Sequence, residues 1–327
     1  MNLNTTLFAA TVLLAGLLTA SSYPTVPRPS SATSPTLAER LGFKAEDKIL
    51  IINGDDVGVS HAANAATIDA LEHGLMTSAT IMVPCPWFPE IAAYAKAHPA
   101  ADFGLHLTHT AEWKGIKWGP VASKNEVPGM VDPQGYFWPD TPIVYKNATP
   151  AQAYTEARAQ IQKAIAAGID VTHLDSHMGV LQFDEAYFQV YRRLGKEFNL
   201  PLRMGSQELL AASGGAHQRG QLASDGTLCP DHLIYGGRKS GEAVSDYWKR
   251  VLRDLKSGVT ELYVHAALAG EEMQHVTNSW KDRAMEHELF TKDPEIRQIL
   301  ENQNVKRIGY RVLRDLQRKA RAEADRK

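Results

Sequence analysis

Strand-like and helix-like segments alternate along almost the whole chain, and this alternation limits the possible folds more than any other feature. The apolar run "KILIING" (48–54) predicts a buried strand, and "SHAANAATIDALEHG" (60–74) predicts a helix with Ser60 as its N-cap. Further strand-like segments lie at 76–83, 102–110, 171–177, 200–205, 259–268 and 305–310. Strands that alternate with helices pair in parallel. Six or seven such units in about 280 residues therefore predict an α/β fold of the β/α-barrel type, a distorted TIM barrel that is closed or nearly closed.

The N-terminal residues predict an exported protein. Residues 7–18 form a mostly apolar run that is too short to span a bilayer but has the size of a signal-peptide core. We therefore predict a signal peptide at 1–22, a Pro/Ser-rich linker at 23–46 and one barrel domain at 47–327. The mature protein would be periplasmic or secreted, without a stable membrane anchor after cleavage. An uncleaved N-terminal anchor is the alternative.

Composition limits the classes of function and of metal site. The formal net charge of −2 over 327 residues gives no electrostatic basis for binding nucleic acid. The two cysteines, Cys85 and Cys229, match no zinc-finger spacing, and sequence alone does not establish a disulfide between them. Any metal site must therefore be built from histidine and carboxylate side chains. The oligomeric state is left open.

Polar side chains gather at the predicted carboxyl ends of the strands, where β/α barrels place their active sites. In "THLDSH" (172–177) every second residue is ionisable, so three such side chains share one face of an extended strand. In "NGDDVG" (53–58) two adjacent carboxylates repel each other, and a nearby cation is the simplest way to keep both ionised. Gly54 and Gly58 would free the backbone so that both carboxylates reach one ion. The clustered residues are Asp55, Asp56, His106, His173, Asp175, His177 and His265.

Taken together, these clusters predict a metal centre. Asp56, His106 and His177 would emerge at the same end of the same barrel. Two imidazoles and one carboxylate suit a divalent ion that keeps positions open for water and substrate. His173 and Asp175 would then orient the ligands. Taken singly, each cluster also fits a structural role, because aspartates cap helices and strand histidines are often simply hydrogen-bonded.

Four motifs resemble, in order and spacing, those of the YdjC/ChbG-like carbohydrate deacetylases. They are "INGDDVGVSHAAN", "SATIMV", "GLHLTHT" and "THLDSH", and the likeness covers roughly residues 47–315. The resemblance implies a fold related to polysaccharide deacetylases, one divalent metal ion (Mg²⁺ or Zn²⁺) and removal of acetyl groups from N-acetylated sugars such as chito-oligosaccharides. It implies the same three metal ligands, with Asp55 as general base and His265 as general acid. Arg283 and Glu286, in "WKDRAMEHELF", match an Arg and a Glu of the family, and their roles are left open.

The chain departs from the family pattern at two motifs. "THLDSH" continues as "MGVL" rather than into further histidines, and His265 is followed by Ala266 and Ala267 rather than by Pro-Gly. The metal ligands are unaffected, but the identity of the sugar and the place of His265 are left open.

The implied chemistry is hydrolysis of an acetamide. A bound cation would lower the pKa of its water from about 15.7 toward about 7 and polarise the carbonyl. Asp55 would accept the proton of the attacking water, and His265 would protonate the leaving amine. The aromatic-rich segment at 111–149 would either stack on sugar rings or cover the barrel.

Two other classes of protein fit parts of the pattern. An exported sugar-binding protein without catalysis could retain the metal site, although binding alone needs no base beside Asp56. A His-x-Asp motif with a distal histidine is also typical of iron oxygenases with two histidines and one carboxylate. Those enzymes are typically all-β, so the β/α alternation argues against this class.

Overall fold

A computed structural model describes residues 34–113 and 115–326. Within these ranges seven strands form one sheet in the order β4–β3–β2–β1–β6–β5, and β7 pairs with the start of β1. Every pairing between these strands is parallel. The strands are β1 (Lys48–Val57), β2 (Ser78–Ile81), β3 (Phe103–Leu107), β4 (Leu174–Ser176), β5 (His232–Leu233), β6 (Gly258–Val264) and β7 (Lys306–Arg307).

The two edges of the sheet are linked through a single residue. Leu174 of β4 forms an isolated parallel bridge with Leu202. The backbone N–H of Leu202 donates to the carbonyl of Leu228, which shortly precedes β5, at 3.0 Å. The strand predicted at 200–205 is thus reduced to one bridge that connects β4 to the chain entering β5. The predicted β/α-barrel-like fold is confirmed.

Thirteen helices of the described residues accompany the sheet. The predicted N-cap of α2 is present, because the Ser60 hydroxyl accepts from the backbone N–H of Ala63 at 3.0 Å. None of the helices in the described ranges is both long and apolar enough to cross a membrane. The helices are α1 (Leu37–Arg40), α2 (His61–Glu72), α3 (Phe88–Ala97), α4 (Thr141–Asn147), α5 (Pro150–Ala166), α6 (Glu185–Phe198), α7 (Gln207–Ala212), α8 (Gln218–Ser224), α9 (Val244–Arg253), α10 (Glu271–Val276), α11 (Trp280–Thr291), α12 (Pro294–Asn302) and α13 (Tyr310–Ala324).

The start of the folded domain differs from the predicted boundary. The predicted signal peptide, 1–22, and residues 23–33 of the predicted linker lie outside the described residues. The remaining linker residues are folded: Thr36 caps α1, and Ala38 is buried in an apolar cluster with residues of β1, β6 and α13. The domain therefore begins near residue 35 rather than 47. A capping box and buried apolar side chains stabilise α1, although the residues around it are mostly polar.

Both cysteines are free thiols. Cys85 is buried after β2, and Cys229 is half-buried before β5. Burial raises the pKa of the Cys85 thiol well above its usual value, so this side chain acts as a small apolar group in the core.

Candidate metal centre and active site

A bulge in β1 turns two consecutive aspartates toward one site. The pairing register with β2 shifts between Gly54 and Val57, so that β1 uses two residues, Asp55 and Asp56, where β2 uses one. Asp56 takes a φ of 63°, in the left-handed region that aspartate tolerates better than most residues. On a regular strand the two carboxylates would point to opposite faces, and the bulge removes this alternation.

The two glycines that flank this pair have different roles. Gly58 has a φ of 97° and does free the backbone, as predicted. Gly54 has no such conformation, and a Cβ at this position would lie 2.6 Å from Met76 Sδ. The prediction for Gly54 was therefore wrong: it allows the close approach of Met76, and Asp56 itself supplies the left-handed turn.

Asp56, His106 and His177 converge at the carboxyl ends of β1, β3 and β4. His106 Nε2 and His177 Nδ1 each lie 3.5 Å from Asp56 Oδ1. All three side chains are buried. His177 is brought inward where the chain leaves β4, just before Met178 adopts a φ of 53°.

The donor atoms of this trio fit a divalent ion. Asp56 Oδ1 is buried, and no described residue forms a hydrogen bond with it. A buried carboxylate oxygen without a partner is costly. Ligand atoms at about 2.0–2.2 Å from one ion lie roughly 3–3.5 Å from each other, which matches the 3.5 Å between each imidazole nitrogen and Asp56 Oδ1. The predicted ligands can therefore hold a metal ion.

A second group of donors, Asp55, His106 and Asp175, also lies within 4.8 Å. Here the carboxylates already share a cation, because Arg203 Nη1 bonds Asp55 Oδ2 at 2.7 Å and also contacts Asp175 Oδ2. A metal ion at this position would have to displace a buried guanidinium. The geometry therefore favours the site at Asp56 Oδ1.

Asp55 is held by donors from three directions. Both Arg203 Nη1 and Nη2 bond its carboxylate, at 2.7 and 2.8 Å. Asn53 Nδ2 and the Thr80 hydroxyl donate to Oδ1 at 2.8 and 3.1 Å. Burial alone would raise the pKa of Asp55, but Arg203 and His106 hold it well below its ordinary value. Asp55 is therefore an ionised carboxylate that needs no metal to fix it.

Arg203 is itself anchored from the far side of the barrel. Its Nε donates to Glu261 Oε1 of β6 at 2.8 Å, and the Tyr310 hydroxyl of α13 donates to the other oxygen of Glu261. Burial raises the pKa of Glu261 to about 7, although Arg203 opposes this shift. The sequence did not predict this network of Arg203, Glu261 and Tyr310.

Each candidate imidazole ligand has a carboxylate on its other nitrogen. His106 Nδ1 lies 2.6 Å from Asp175 Oδ2, and His177 Nε2 lies 3.0 Å from Glu112 Oε2. Such carboxylates fix the orientation of metal-binding histidines. The structure thus places Asp175 where the sequence predicted it, whereas Glu112 was not predicted.

His173 does not orient the ligands directly. Its ring stacks on Tyr310 with centroids 3.7 Å apart, and its Nδ1 lies 3.0 Å from the Thr172 hydroxyl. Gly104 leaves room for the ring, because a Cβ there would lie 2.4 Å from it. The predicted role of His173 is therefore corrected: it packs inside the barrel against Tyr310, because every second residue of a strand moves about 6–7 Å along the strand axis, away from the candidate ligand His177.

His265 lies just beyond the end of β6, and Arg283 connects its surroundings to Asp56. Arg283 Nη2 donates to Asp56 Oδ2 at 2.7 Å. The backbone N–H of His265 donates to Glu286 Oε2 at 2.7 Å. His265, Arg283 and Glu286 line one cavity, and Arg283 links the wall of this cavity to Asp56.

The sequence profile of the family described as "YdjC-like protein" matches residues 49–302. The chain belongs to this YdjC-like family. It is similar to a carbohydrate deacetylase of Thermoanaerobacter pseudethanolicus, with 26% identity over 82% of this chain and 100% of the relative. A carbohydrate deacetylase of Brevibacillus brevis is 29% identical over 81% and 99%. A crystal structure from Enterococcus faecalis V583, described as a candidate cellobiose-phosphate cleavage protein, superimposes with a TM-score of 0.70 at 26% identity, covering 82% and 99%.

In this YdjC-like protein, carboxylates surround both candidate imidazole ligands. Burial alone would lower the pKa of His106, but Asp175 and Asp55 raise it to about 10. Burial would likewise lower the pKa of His177, but Glu112 and Asp56 raise it to about 9. The carboxylates that hold these protons would also attract a divalent cation.

We expect metal binding to release protons. Near pH 7.5 both imidazoles of the metal-free protein carry protons, since their pKa values of about 10 and about 9 lie above this pH. A metal ion binds neutral imidazole, so about two protons should leave for each ion bound. Calorimetry in buffers of different ionisation enthalpy measures this number. A heat of binding that does not depend on the buffer would contradict the expectation.

Proposed function

We propose that this YdjC-like protein is a metal-dependent hydrolase that removes acetyl groups from N-acetylated sugars. The names of its relatives support carbohydrate deacetylation. The observation that carries the proposal is the unpartnered Asp56 Oδ1, which faces two imidazoles while a separately anchored carboxylate, Asp55, adjoins it. Binding alone would need no second carboxylate.

Each residue has a defined task in this proposal. Asp56, His106 and His177 would hold the ion, which when bound lowers the pKa of a water and polarises a carbonyl. Asp55 accepts the proton of the attacking water, and Arg203 keeps its carboxylate oriented. His265 donates a proton to the amide nitrogen as the C–N bond breaks, so that acetate and a free sugar amine are formed.

Acetate release provides the direct test. We expect metal-loaded protein to release acetate, and an equal amount of free amine, from N-acetylglucosamine or its short oligomers. Protein treated with a chelator should be inactive until Mg²⁺ or Zn²⁺ is restored. Metal-loaded protein that binds these sugars but releases no acetate would favour the sugar-binding alternative.

We also propose that the protein is exported. The apolar run at 7–18, followed by small residues, supports this. N-terminal sequencing of protein from the native host should find a mature chain that begins near Ser21 or Tyr23. Cytoplasmic protein that retains Met1 would be contrary to the proposal.

A further inference from the structure

Tyr310 is the first residue of helix α13, yet its side chain is fully buried. The first turn of α13 is fixed where β3 begins, because Asp102 Oδ2 accepts from the backbone N–H of Arg311 at 2.7 Å. The other oxygen of Asp102 accepts from the Thr172 hydroxyl, shortly before β4. A carboxylate at the start of a helix also interacts favourably with the helix dipole. Residues at the starts of β3 and β4 thus hold the first turn of α13, and with it Tyr310, in place.

The Tyr310 side chain makes two directed contacts inside the barrel. Its ring stacks on His173, with the two ring planes 7° apart. Its hydroxyl donates to Glu261 Oε2. The stack fixes the plane of the tyrosine ring, and with it the direction from which the hydroxyl approaches Glu261.

Glu261 connects Tyr310 to the guanidinium of Arg203. Glu261 Oε1 accepts from Arg203 Nε at 2.8 Å, while Oε2 accepts from the tyrosine hydroxyl. The whole link is buried, since Glu261 is 0% and Arg203 is 4% exposed. Loss of the Tyr310 hydroxyl would leave Oε2 without this donor, a costly state that favours reorientation of the carboxylate.

The guanidinium of Arg203 transmits such a change to Asp55. Because the group is planar and rigid, a movement at Nε also moves Nη1 and Nη2. These two nitrogens bond the Asp55 carboxylate at 2.7 and 2.8 Å. A catalytic group that is misplaced by about 1 Å can lower the rate by about 10²-fold. The alignment of Asp55 therefore depends on what holds the other end of Arg203.

Resting on the proposed function, we propose that Tyr310 is a positioning residue for the base Asp55, which it aligns through Glu261 and Arg203. The tyrosine hydroxyl bonds Glu261 rather than a reacting atom, so it acts on the reaction only through these residues. Helix α13 thereby contributes to catalysis from the far side of the barrel.

Tyr310→Phe tests this role because it keeps the ring and its stack on His173 but removes the hydroxyl. We expect kcat for acetate release from N-acetylglucosamine to fall by about tenfold, while KM and metal content stay at the wild-type level. Tyr187→Phe is the control, since it removes another buried hydroxyl, which donates to the Ala148 carbonyl at 2.9 Å. The control should keep the wild-type kcat. Equal kcat values in the two variants would overturn the role of Tyr310.

A double-mutant cycle tests the route through Glu261. Residues that act through one shared contact have non-additive effects. In a Glu261→Gln background, Tyr310→Phe should therefore lower kcat by no more than about twofold. A full tenfold decrease in that background would show that Tyr310 does not act through Glu261, and would overturn the proposal.

A signal that does not depend on activity separates this role from the proposed function. In protein labelled with [15N]arginine, the Nε–H resonance of Arg203, assigned by its disappearance in Arg203→Lys, reports the bond to Glu261. This resonance should shift, and its proton should exchange faster with solvent, in Tyr310→Phe but not in Tyr187→Phe. If the wild type releases no acetate but this change is seen, the proposed function fails while the link from Tyr310 to Arg203 stands. An unchanged resonance would overturn the link itself.

Glu261→Gln provides a second variant should Tyr310→Phe not fold. It weakens the same link from the other side, because an amide accepts hydrogen bonds through only one of its two terminal atoms. We expect both the lower kcat and the changed Arg203 resonance in this variant. A wild-type kcat and resonance in Glu261→Gln would likewise overturn the proposal.

Discussion

Asp55→Asn is expected to lower kcat by about 10²–10⁴-fold, which is the usual contribution of general acid–base catalysis. The variant should still bind its metal ion. Asp55 is anchored by Arg203, Asn53 and Thr80, and none of these contacts involves Asp56 Oδ1. Asparagine keeps the shape of the side chain but cannot accept the proton of the attacking water. Metal content by elemental analysis, together with steady-state kinetics of acetate release, measures both properties.

Asp56→Asn provides the matched comparison, since it makes the same chemical change one residue further along. Asp56 Oδ1 lies 3.5 Å from both candidate imidazole ligands, so loss of its charge should release the ion. Activity should be lost with the ion in this variant. If Asp55→Asn loses the ion and Asp56→Asn retains it, the two roles are reversed.

The fold could be predicted largely because β/α alternation is a local pattern. The strand at 48–54 and the N-cap at Ser60 are both present, although β1 continues to Val57. β5 was not predicted, because a strand of two residues has no measurable periodicity. Helix α11 was also missed, because its buried residues include Arg283 and His287 as well as Leu289 and Phe290, so that no apolar periodicity marks it.

Only those residues of the candidate site that lie at the ends of strands could be predicted from the sequence. Parallel strands bring their carboxyl ends to one rim, so Asp56, His106 and His177 could be grouped from their positions in the motifs. Arg203 could not be assigned, because it lies 148 residues from Asp55 and in a segment that forms only one bridge. One signal was available: Glu261 interrupts an apolar strand, and a buried carboxylate requires a partner.

The buried contacts of Arg203 lead to the second prediction, which concerns the stability of the fold. Arg203→Met is expected to lower the free energy of unfolding by about 3–5 kcal/mol, because removing one member of a buried charge network leaves the others uncompensated. Arg203 is 4% exposed and bonds Asp55, Asp175 and Glu261. Arg192→Met is the control: its bond to Asp225 is partly exposed, so the loss should stay below about 1 kcal/mol. Denaturant unfolding monitored by circular dichroism compares the two variants.

The decrease in the free energy of unfolding that Arg203→Met causes should also depend on pH. Glu261 has a folded pKa of about 7, above its ordinary value, so its contribution to stability is greatest at low pH and is lost as pH rises through about 7. Without Arg203 the pKa of Glu261 should rise further, and the lowered pKa of Asp55 should rise as well, because both carboxylates lose the guanidinium that they share. The free energy of unfolding of Arg203→Met should therefore fall further below that of the wild type near pH 8 than near pH 5.5. Adding Glu261→Gln to Arg203→Met should restore part of this stability. If the decrease in the free energy of unfolding is equal at both pH values, or no larger than that of Arg192→Met, Arg203 does not neutralise these buried carboxylates.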